Sequence, residues 1–510
     1  NPDPARHPNG LEFDLFNRFR GGDTLTNFIA CVDYTWGNYE FLPTEGADYT
    51  AANPRTPAPD IIDGDIKIAS LNVYNYFTTL TSEGDICGPS GDMGCRGADT
   101  AEELTRQRDK IIAALAGIDA DVVGLMEIEN DRLDAPAPDY AVADLVSGLN
   151  AMLGAGTYDY IPTGEIGTDA IKVALIYKTG NVTPLGDYAI LDSLVDARFL
   201  DEYNRPVLAQ SLTDNLTGEI VTVAVNHLKS KGSDCDDVED PDLGDGAGNC
   251  NLTRLAAAEA EVDWLATDPT GSGVDNYIII GDLNSYDKED PIDAIKLGPD
   301  DTADTEDDYF DMIYEILGEE AYSYVFDGRF GYLDYAMVNK SLLDNVTDVD
   351  IWHINADEPD LLDYDMSFKK DAQDAIYFPD AYRSSDHDPV IITLTFNQPP
   401  QAMDDAYETD QDVILTVSSP GVLANDGDVN EFDTLVIEVI SGPTYGSLEL
   451  NVKDGSFTYI PDPGFFGEDS FTYLLMGLPP DLLRNEYTDT AKVTITVHPA
   501  EKYFLPIIFN

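Results

Sequence analysis

Residues 276–286 read NYIIIGDLNSY, a run of apolar, β-branched residues that stops at Gly281 and Asp282 and passes into a polar turn. Such a run is a strand buried in a sheet, and the Asp, Asn and Ser that follow are turn formers. Its polar group therefore sits at the mouth of a strand, where a rigid frame can hold reactive side chains.

The same design recurs on both sides. DIKIASLNVYNYF (65–77) alternates as a half-buried strand should, DVVGLMEIE (121–129) is a buried strand, and VAVNHLKSKG (223–232) ends another. GYLDYAMVN (331–339) and DPVIITLTF (388–396) close the series. Helices alternate with these strands. Thr100 to Glu103 forms a capping box that opens an amphipathic helix carrying Leu104, Ile111, Ile112 and Leu115, and LTRLAAAEAEVDWLA (252–266) is a second helix. The pattern over residues 61–397 predicts a two-sheet, four-layer α/β sandwich, with its polar clusters at strand ends.

Residues 1–60 read as an N-terminal fragment of an upstream β module that ends in a Pro-rich linker, NPRTPAPD (53–60). The chain starts at NPDPARHPNG without Met or a secretory segment, so it is expected either to be processed or to continue a longer precursor. NQPPQ (397–401) is a second linker. Beyond it, residues 398–499 show short strands separated by Gly, Pro and Asp turns, the pattern of an all-β sandwich. The apolar tail of residues 500–510 is too short to span a bilayer, and every other apolar run is strand-length.

The 97 Asp+Glu against 28 Lys+Arg give a net charge of -69. That charge keeps a chain soluble, repels polyanions, and suits salty surroundings that screen it. A partner carrying phosphates must then be met by metal ions and a few placed cations. Arg205, Lys229, Lys231, Arg254 and Arg383 lie in or beside the motif loops and are candidates, each with an ordinary alternative as the ion partner of a nearby carboxylate.

Cys87 and Cys95 share one Gly-rich loop, and Cys235 and Cys250 bracket an acidic one. Both spacings suit local disulfides and an extracellular chain; a zinc site is the alternative, but neither pair has C-x-x-C spacing. Cys31 is left over. The acidic stretches 234–245 and 299–311 lack EF-hand spacing and read as solvated surface, with structural Ca²⁺ the alternative.

Two of the five histidines, His227 and His387, stand at strand mouths, in the same domain as Asn72, Glu127, Asp282, Asn284 and Asp334. The collection suits phosphodiester hydrolysis. Carboxylate and amide oxygens hold a hard cation that answers the phosphate charge, and a histidine takes a proton from water. No G-x-S-x-G or P-loop is present, which leaves direct attack by water. Each residue has a plainer reading too: Asp282 and Asn284 as an Asx turn, Asn72 as a turn cap, Asp334 and Glu127 as ordinary acids.

SLNVYNY (70–76), GLMEIEN (124–130), VNHLKSKG (225–232), GDLNSY (281–286), YLDYAM (332–337) and SDHDPV (385–390) resemble, in order, the signatures of the deoxyribonuclease-like endonuclease/exonuclease/phosphatase superfamily. The layout, with a truncated module similar to FNRFRGGDTLT (16–26) upstream, looks most like large extracellular nucleases of bacteria. The resemblance implies Glu127 as principal metal ligand, Asn72 as a ligand or a ligand's partner, and Asp386 as a further metal-side carboxylate. His387 would be the general base oriented by Asp334, and His227 an acid or a donor to the phosphate. Asp282 would sit by the nucleophile or leaving group, Asn284 would hold a phosphate oxygen, and Arg205, with Lys229 beside it, would grip the substrate phosphate. The family's acid that orients the first histidine falls near Ile171, where this chain has none; Asp169 is the nearest replacement.

The implied activity is a secreted nuclease using Mg²⁺ or Mn²⁺, with DNA a better fit than RNA. The alternatives are a phosphodiesterase or phosphatase acting on phospholipid or small phosphoesters, and a non-catalytic surface adhesin. The lipid reading ranks lower because no exposed aromatic hairpin for a membrane is evident. GVLANDGDVNEFDTL (421–435) and FTYIPDPGFFGEDSFTY (457–473) resemble bacterial cadherin-like repeats, which implies attachment to a surface or matrix and Ca²⁺ binding through Asp426 and Asp428.

Overall fold

Strand Ile66–Tyr76 is buried along nearly its whole length because both of its faces are covered, one by helices and one by a second sheet. In the computed structural model, which describes residues 6–35, 38–131, 136–303, 305–396, 400–428, 434–478 and 487–500, it is central to a six-stranded sheet. Its order is Val346–Ile351, Val390–Leu394, Ile66–Tyr76, Val122–Glu129, Ile171–Lys178, Tyr158–Tyr160. The second six-stranded sheet runs Tyr309–Asp311, Asp334–Asn339, Tyr277–Asp282, Ile220–His227, Arg205–Asp214, Val182–Leu191.

Each sheet has one parallel pair among antiparallel neighbours, Ile66–Tyr76 with Val122–Glu129 and Ile220–His227 with Tyr277–Asp282. A parallel pair needs a crossover, and helices Ala101–Ile118 and Asn251–Leu265 supply them. The first begins as expected: Thr100 accepts the Glu103 amide and Glu103 accepts the Thr100 amide, while Asp119 ends it in a left-handed turn at φ 49°. Ile111, Ile112, Leu115 and Ile118 lie on its buried face and join the strand side chains Leu71, Val73 and Leu125 in one core. Burying each such side chain contributes roughly 1.5–3 kcal/mol.

The sheets meet closely at Gly124, where a β-carbon would come within 2.8 Å of Ile280 and 2.9 Å of Val225 on the opposing sheet. Any side chain there would push the two layers apart.

Two compact units divide the chain, Asn1–Thr395 and Phe396–Asn510. The Pro-rich stretch is part of the first unit: Asn53 bonds Asp357, Arg55 bonds Glu358, and the Trp352 indole donates to Thr56. Arg20 is also buried against Asp357 at 2.8 Å. Cys87–Cys95 and Cys235–Cys250 are disulfides, and Cys31 is free and exposed.

The second unit is a sandwich of a four-stranded and a three-stranded sheet around Phe457, Tyr459, Phe471, Tyr473 and Ile495. In it, Asp426 accepts the Met403 amide and the Tyr473 hydroxyl. The apolar tail from residue 501 and linker residues 397–399 lie outside the described residues. Among the described residues, no helix is long and apolar enough to cross a membrane.

Candidate active site

Strand register assembles one half of the site. Arg205 pairs with His227, His227 with Asp282, and Asp282 with Asp334, so four adjacent strands of the second sheet carry one transverse row of polar side chains. The row lies where both parallel strands end, the place where α/β sheets open a crevice.

The first sheet supplies the other half through a bulge. Pairing skips between Leu125 and Ile128 on one side and between Asn72 and Tyr76 on the other, and Glu127 sits at φ 62° within it. A non-glycine residue held there is strained, and the effect is to turn its carboxylate out of the strand. Asn75, itself at φ 52°, fixes Glu127 Oε2 with its amide at 2.9 Å and its side chain at 2.7 Å. Oε1 is left facing His227 Nε2 at 3.9 Å.

His387 reaches the same point from the loop before Val390–Leu394. Its Nδ1 lies 2.8 Å from Asp334 Oδ2 and its Nε2 lies 3.9 Å from Asp282 Oδ2, which is 3.6 Å from His227 Nε2. Glu127, Arg205, His227, Asp282, Asn284, Asp386 and His387 all line one cavity of about 790 Å³.

Burial and charge then separate the two histidines. Burial pulls His227 well below its ordinary range, and the Arg205 guanidinium adds to that, so its charged form is disfavoured. For His387 burial acts in the same direction, but the carboxylates of Asp334, Asp282 and Asp386 outweigh it and raise the ring well above 6.5. Burial lifts Asp282 to about 7, with His387 opposing. Glu127 is raised by burial and then by the Asp386 charge.

Glu127, whose charge the neighbouring Asp386 disfavours, and Asp386 itself offer hard oxygens with the Asn72 amide behind them, and this set fits a divalent cation. The Asn72 Oδ1 accepts the Tyr74 amide as a turn cap, and its side-chain amide favours the charged form of Glu127, against the effect of burial. Asp282, Asp334 and His387 also present ligand atoms within 4.8 Å of one another. There, however, Asp334 is already committed to the His387 ring and to the Ser323 hydroxyl at 2.6 Å, which fits a proton-holding pair better than a metal cage.

Several expectations change. Asp169 does not orient His227: it pairs with Arg96 at 3.0 Å and Arg205 at 3.4 Å, and among the described residues His227 Nδ1 is buried without a partner. Arg254 is no phosphate ligand, because its guanidinium is fully buried among Ser285 Oγ and the carbonyls of Lys229, Asn249 and Ala247. Arg383 is spent on the Asn355 and Glu358 carbonyls and on Asp360. Lys231 lines the cavity but is paired with Glu289, and Lys229 sits over the Tyr203 ring at 5.6 Å, away from the lining. Asn284 accepts the Asx-turn geometry, its amide donating to Asp282 Oδ1 at 2.9 Å, and its side chain donates to the Leu228 carbonyl at 3.0 Å.

The expectation of no exposed aromatic hairpin is overturned as well. Strands Tyr324–Phe326 and Arg329–Gly331 form one on the cavity wall, with Phe326 and Phe330 exposed and Tyr324 stacked on His387 at 4.4 Å. The Asp327-Gly328 pair between two aromatic runs is a hairpin signal legible in the sequence.

The fold and this crevice define a metal-dependent hydrolase. The chain belongs to the Endonuclease/Exonuclease/phosphatase family, whose model matches residues 67–395, and a bacterial cadherin-like domain matches residues 397–499. Among solved structures it is similar to a mannosyl-6-phosphatase of Bacteroides thetaiotaomicron VPI-5482, at 17% identity over 65% of this chain and 100% of that one, TM-score 0.40. It is similar also to the human Nocturnin catalytic domain with bound sulfate, at 14% identity over 66% of this chain and 98% of that one, TM-score 0.38. A third is TDP2 from C. elegans, at 11% identity over 65% and 75%, TM-score 0.37. No curated protein matches the chain.

Proposed function

We propose that the chain is a secreted, divalent-metal-dependent nuclease that hydrolyses phosphodiester bonds of extracellular DNA, with RNA the second candidate substrate, by direct attack of water. The observation that carries the reading is the convergence of both sheets on one crevice: Glu127 from the first faces the Arg205, His227, Asp282 and Asp334 row of the second across 3.9 Å at its nearest. Mg²⁺ or Mn²⁺ held by Glu127 and Asp386, with Asn72 behind them, would supply the positive charge that a phosphodiester under attack requires.

His387 in its deprotonated form is the base that would take the water proton on Nε2, a cation beside Asp386 opposing the carboxylate charge that raises the ring, and Asp334 on Nδ1 fixes its tautomer and orientation. Asp282, 3.9 Å from Nε2, stands where it can orient the water. Burial disfavours the charged form of His227, which suits a hydrogen-bond donor to the phosphate better than an acid. Arg205, inside the cavity wall, and Asn284 beside it face the phosphate oxygens. The two disulfides and the cadherin-like domain support an extracellular setting, with that domain as the attachment module.

The test is digestion of plasmid DNA and single-stranded RNA with Mg²⁺, Mn²⁺ or EDTA, beside His227→Ala and His387→Ala. Cleavage that needs metal and is lost in both variants is the expected result. No cleavage in any metal, with turnover of sphingomyelin or a sugar phosphate, would replace the nuclease with another phosphoesterase.

A further inference from the structure

The cavity does not end at the catalytic centre. It continues to Phe326, Arg329 and Phe330 on the Tyr324–Gly331 hairpin, which the proposed chemistry leaves unused. Phe326 and Phe330 are 59% and 57% exposed, so two large apolar rings stand uncovered beside a crevice built for charge. Their spacing from the centre is set by the strand. Tyr324 stacks on His387, and Phe326 follows two residues on, nearly parallel to Tyr324 at 12° and 6.5 Å away, with Arg329 directly opposite on the neighbouring strand.

The hairpin is held rigidly. Asp327 and Gly328 turn it at φ 49° and 73°, the tight two-residue turn that suits paired strands. At its base, the Ser323 amide donates to the Gly331 carbonyl while the Ser323 hydroxyl donates to Asp334. Tyr286 packs flat enough on Gly331 that a β-carbon there would lie 2.7 Å from the ring. The rings are thereby fixed relative to the very carboxylate that orients His387.

We propose that this hairpin is a stacking platform for an unpaired nucleobase next to the scissile phosphate, which makes single-stranded nucleic acid the preferred substrate class; this rests on the nuclease reading above. Flat rings alternating with a cation match a strand whose flat bases alternate with phosphates. Within a duplex the bases are already stacked on one another, so the rings gain a partner only where the strand is open. A bilayer fits the hairpin less well. Its outermost residue is the carboxylate of Asp327, which insertion would bury unpaired, and its rings line the catalytic cavity.

The test measures binding and cleavage separately. The His387→Ala chain in Mg²⁺ is titrated, by fluorescence anisotropy, into a labelled oligothymidylate of about twelve nucleotides, an abasic strand of the same length, and the duplex. Tightest binding to the oligothymidylate is expected. Adding Phe326→Ala should lower the ratio of oligothymidylate to abasic affinity about tenfold, and Phe326→Trp should restore it. Equal affinity for the abasic strand, or equal losses on both strands, overturns the platform. So does sedimentation with phosphatidylcholine–sphingomyelin vesicles that Phe326→Ala abolishes, which would make the hairpin a lipid anchor. Cleavage by the unaltered chain is scored apart. Cutting without base preference sinks the platform alone, whereas base preference without cutting sinks the nuclease and keeps the platform.

Discussion

Asp334 holds His387 through a single carboxylate oxygen, Oδ2, which stands 2.8 Å from the ring Nδ1 and also accepts the Ser323 hydroxyl at 2.6 Å. When neutral, the ring is thereby fixed in the tautomer that leaves the Nε2 lone pair toward the cavity. Asp334→Asn keeps the shape but removes the charge and can present an N–H where the ring needs an acceptor. It is expected to lower kcat by about 100-fold or more with KM little changed. Ser323→Ala, which removes only one bond to the same oxygen, should cost less than about tenfold. A large rise in KM with kcat preserved, measured by steady-state kinetics on an oligonucleotide, would mean that Asp334 binds substrate instead.

Arg254 makes the opposite case, a cation beside the active-site loops that serves the fold alone. Its guanidinium reaches four acceptors and lies wholly inside the protein. Lysine cannot match that fork, so Arg254→Lys should lower unfolding free energy by about 3–5 kcal/mol in urea titrations. An unchanged urea midpoint with weaker substrate affinity would return Arg254 to the phosphate-binding set.

How much of this was readable depends on what each residue's position requires. The strands ending at Asp282 and His227 were legible because burial on both faces demands unbroken apolar runs, and the helix from Ala101 because its capping box is local. Asp334 beside His387 needed only the motif order. The sequence leaves Arg254 and Arg383 open between a phosphate and an internal partner, because closeness to a motif does not say whether a long side chain turns toward the cavity or into the protein; the structure gives both the internal partners. Asp169 failed, since its partners Arg96 and Arg205 are set by the packing of distant loops. The Phe326 hairpin carries its own signal in Asp327-Gly328, but its aromatics cover no core, so no alternation of buried and exposed residues marks its strands.

The Cys235–Cys250 disulfide closes a loop that contributes Asp242, Gly244, Gly246 and Gly248 to the cavity wall. From within it, Asp240 caps helix Asn251–Leu265 by accepting the amide and hydroxyl of Thr253, each at 2.8 Å. With a sequence separation of 15, replacing both cysteines by serine should cost about 3 kcal/mol of stability. The same change should raise KM, because glycines freed from the bridge must be ordered again on binding. Equal KM for both forms would show that the loop takes no part in substrate binding.

Glu261 links the pH dependence of stability to the frame of the site. It lies buried on helix Asn251–Leu265 and accepts the side-chain amide of Asn226, the residue before His227, at 2.7 Å. Burial raises its carboxyl from 4.5 to about 8, against a smaller opposing pull from Asn226. Below about 4.5 the folded and unfolded chains both hold the proton, and this group's contribution to stability is whole. Between 4.5 and 8 only the folded chain holds it, so stability falls as pH rises and the loss is complete above 8, on the order of 5 kcal/mol. Glu261→Gln keeps the size and the acceptor without the titration. It should match the unaltered chain in urea near the acid end of that window and exceed it by a few kcal/mol at its alkaline end. A constant difference between the two proteins across the window would mean that Glu261 is ionised in the fold and that an unrecognised partner answers its charge.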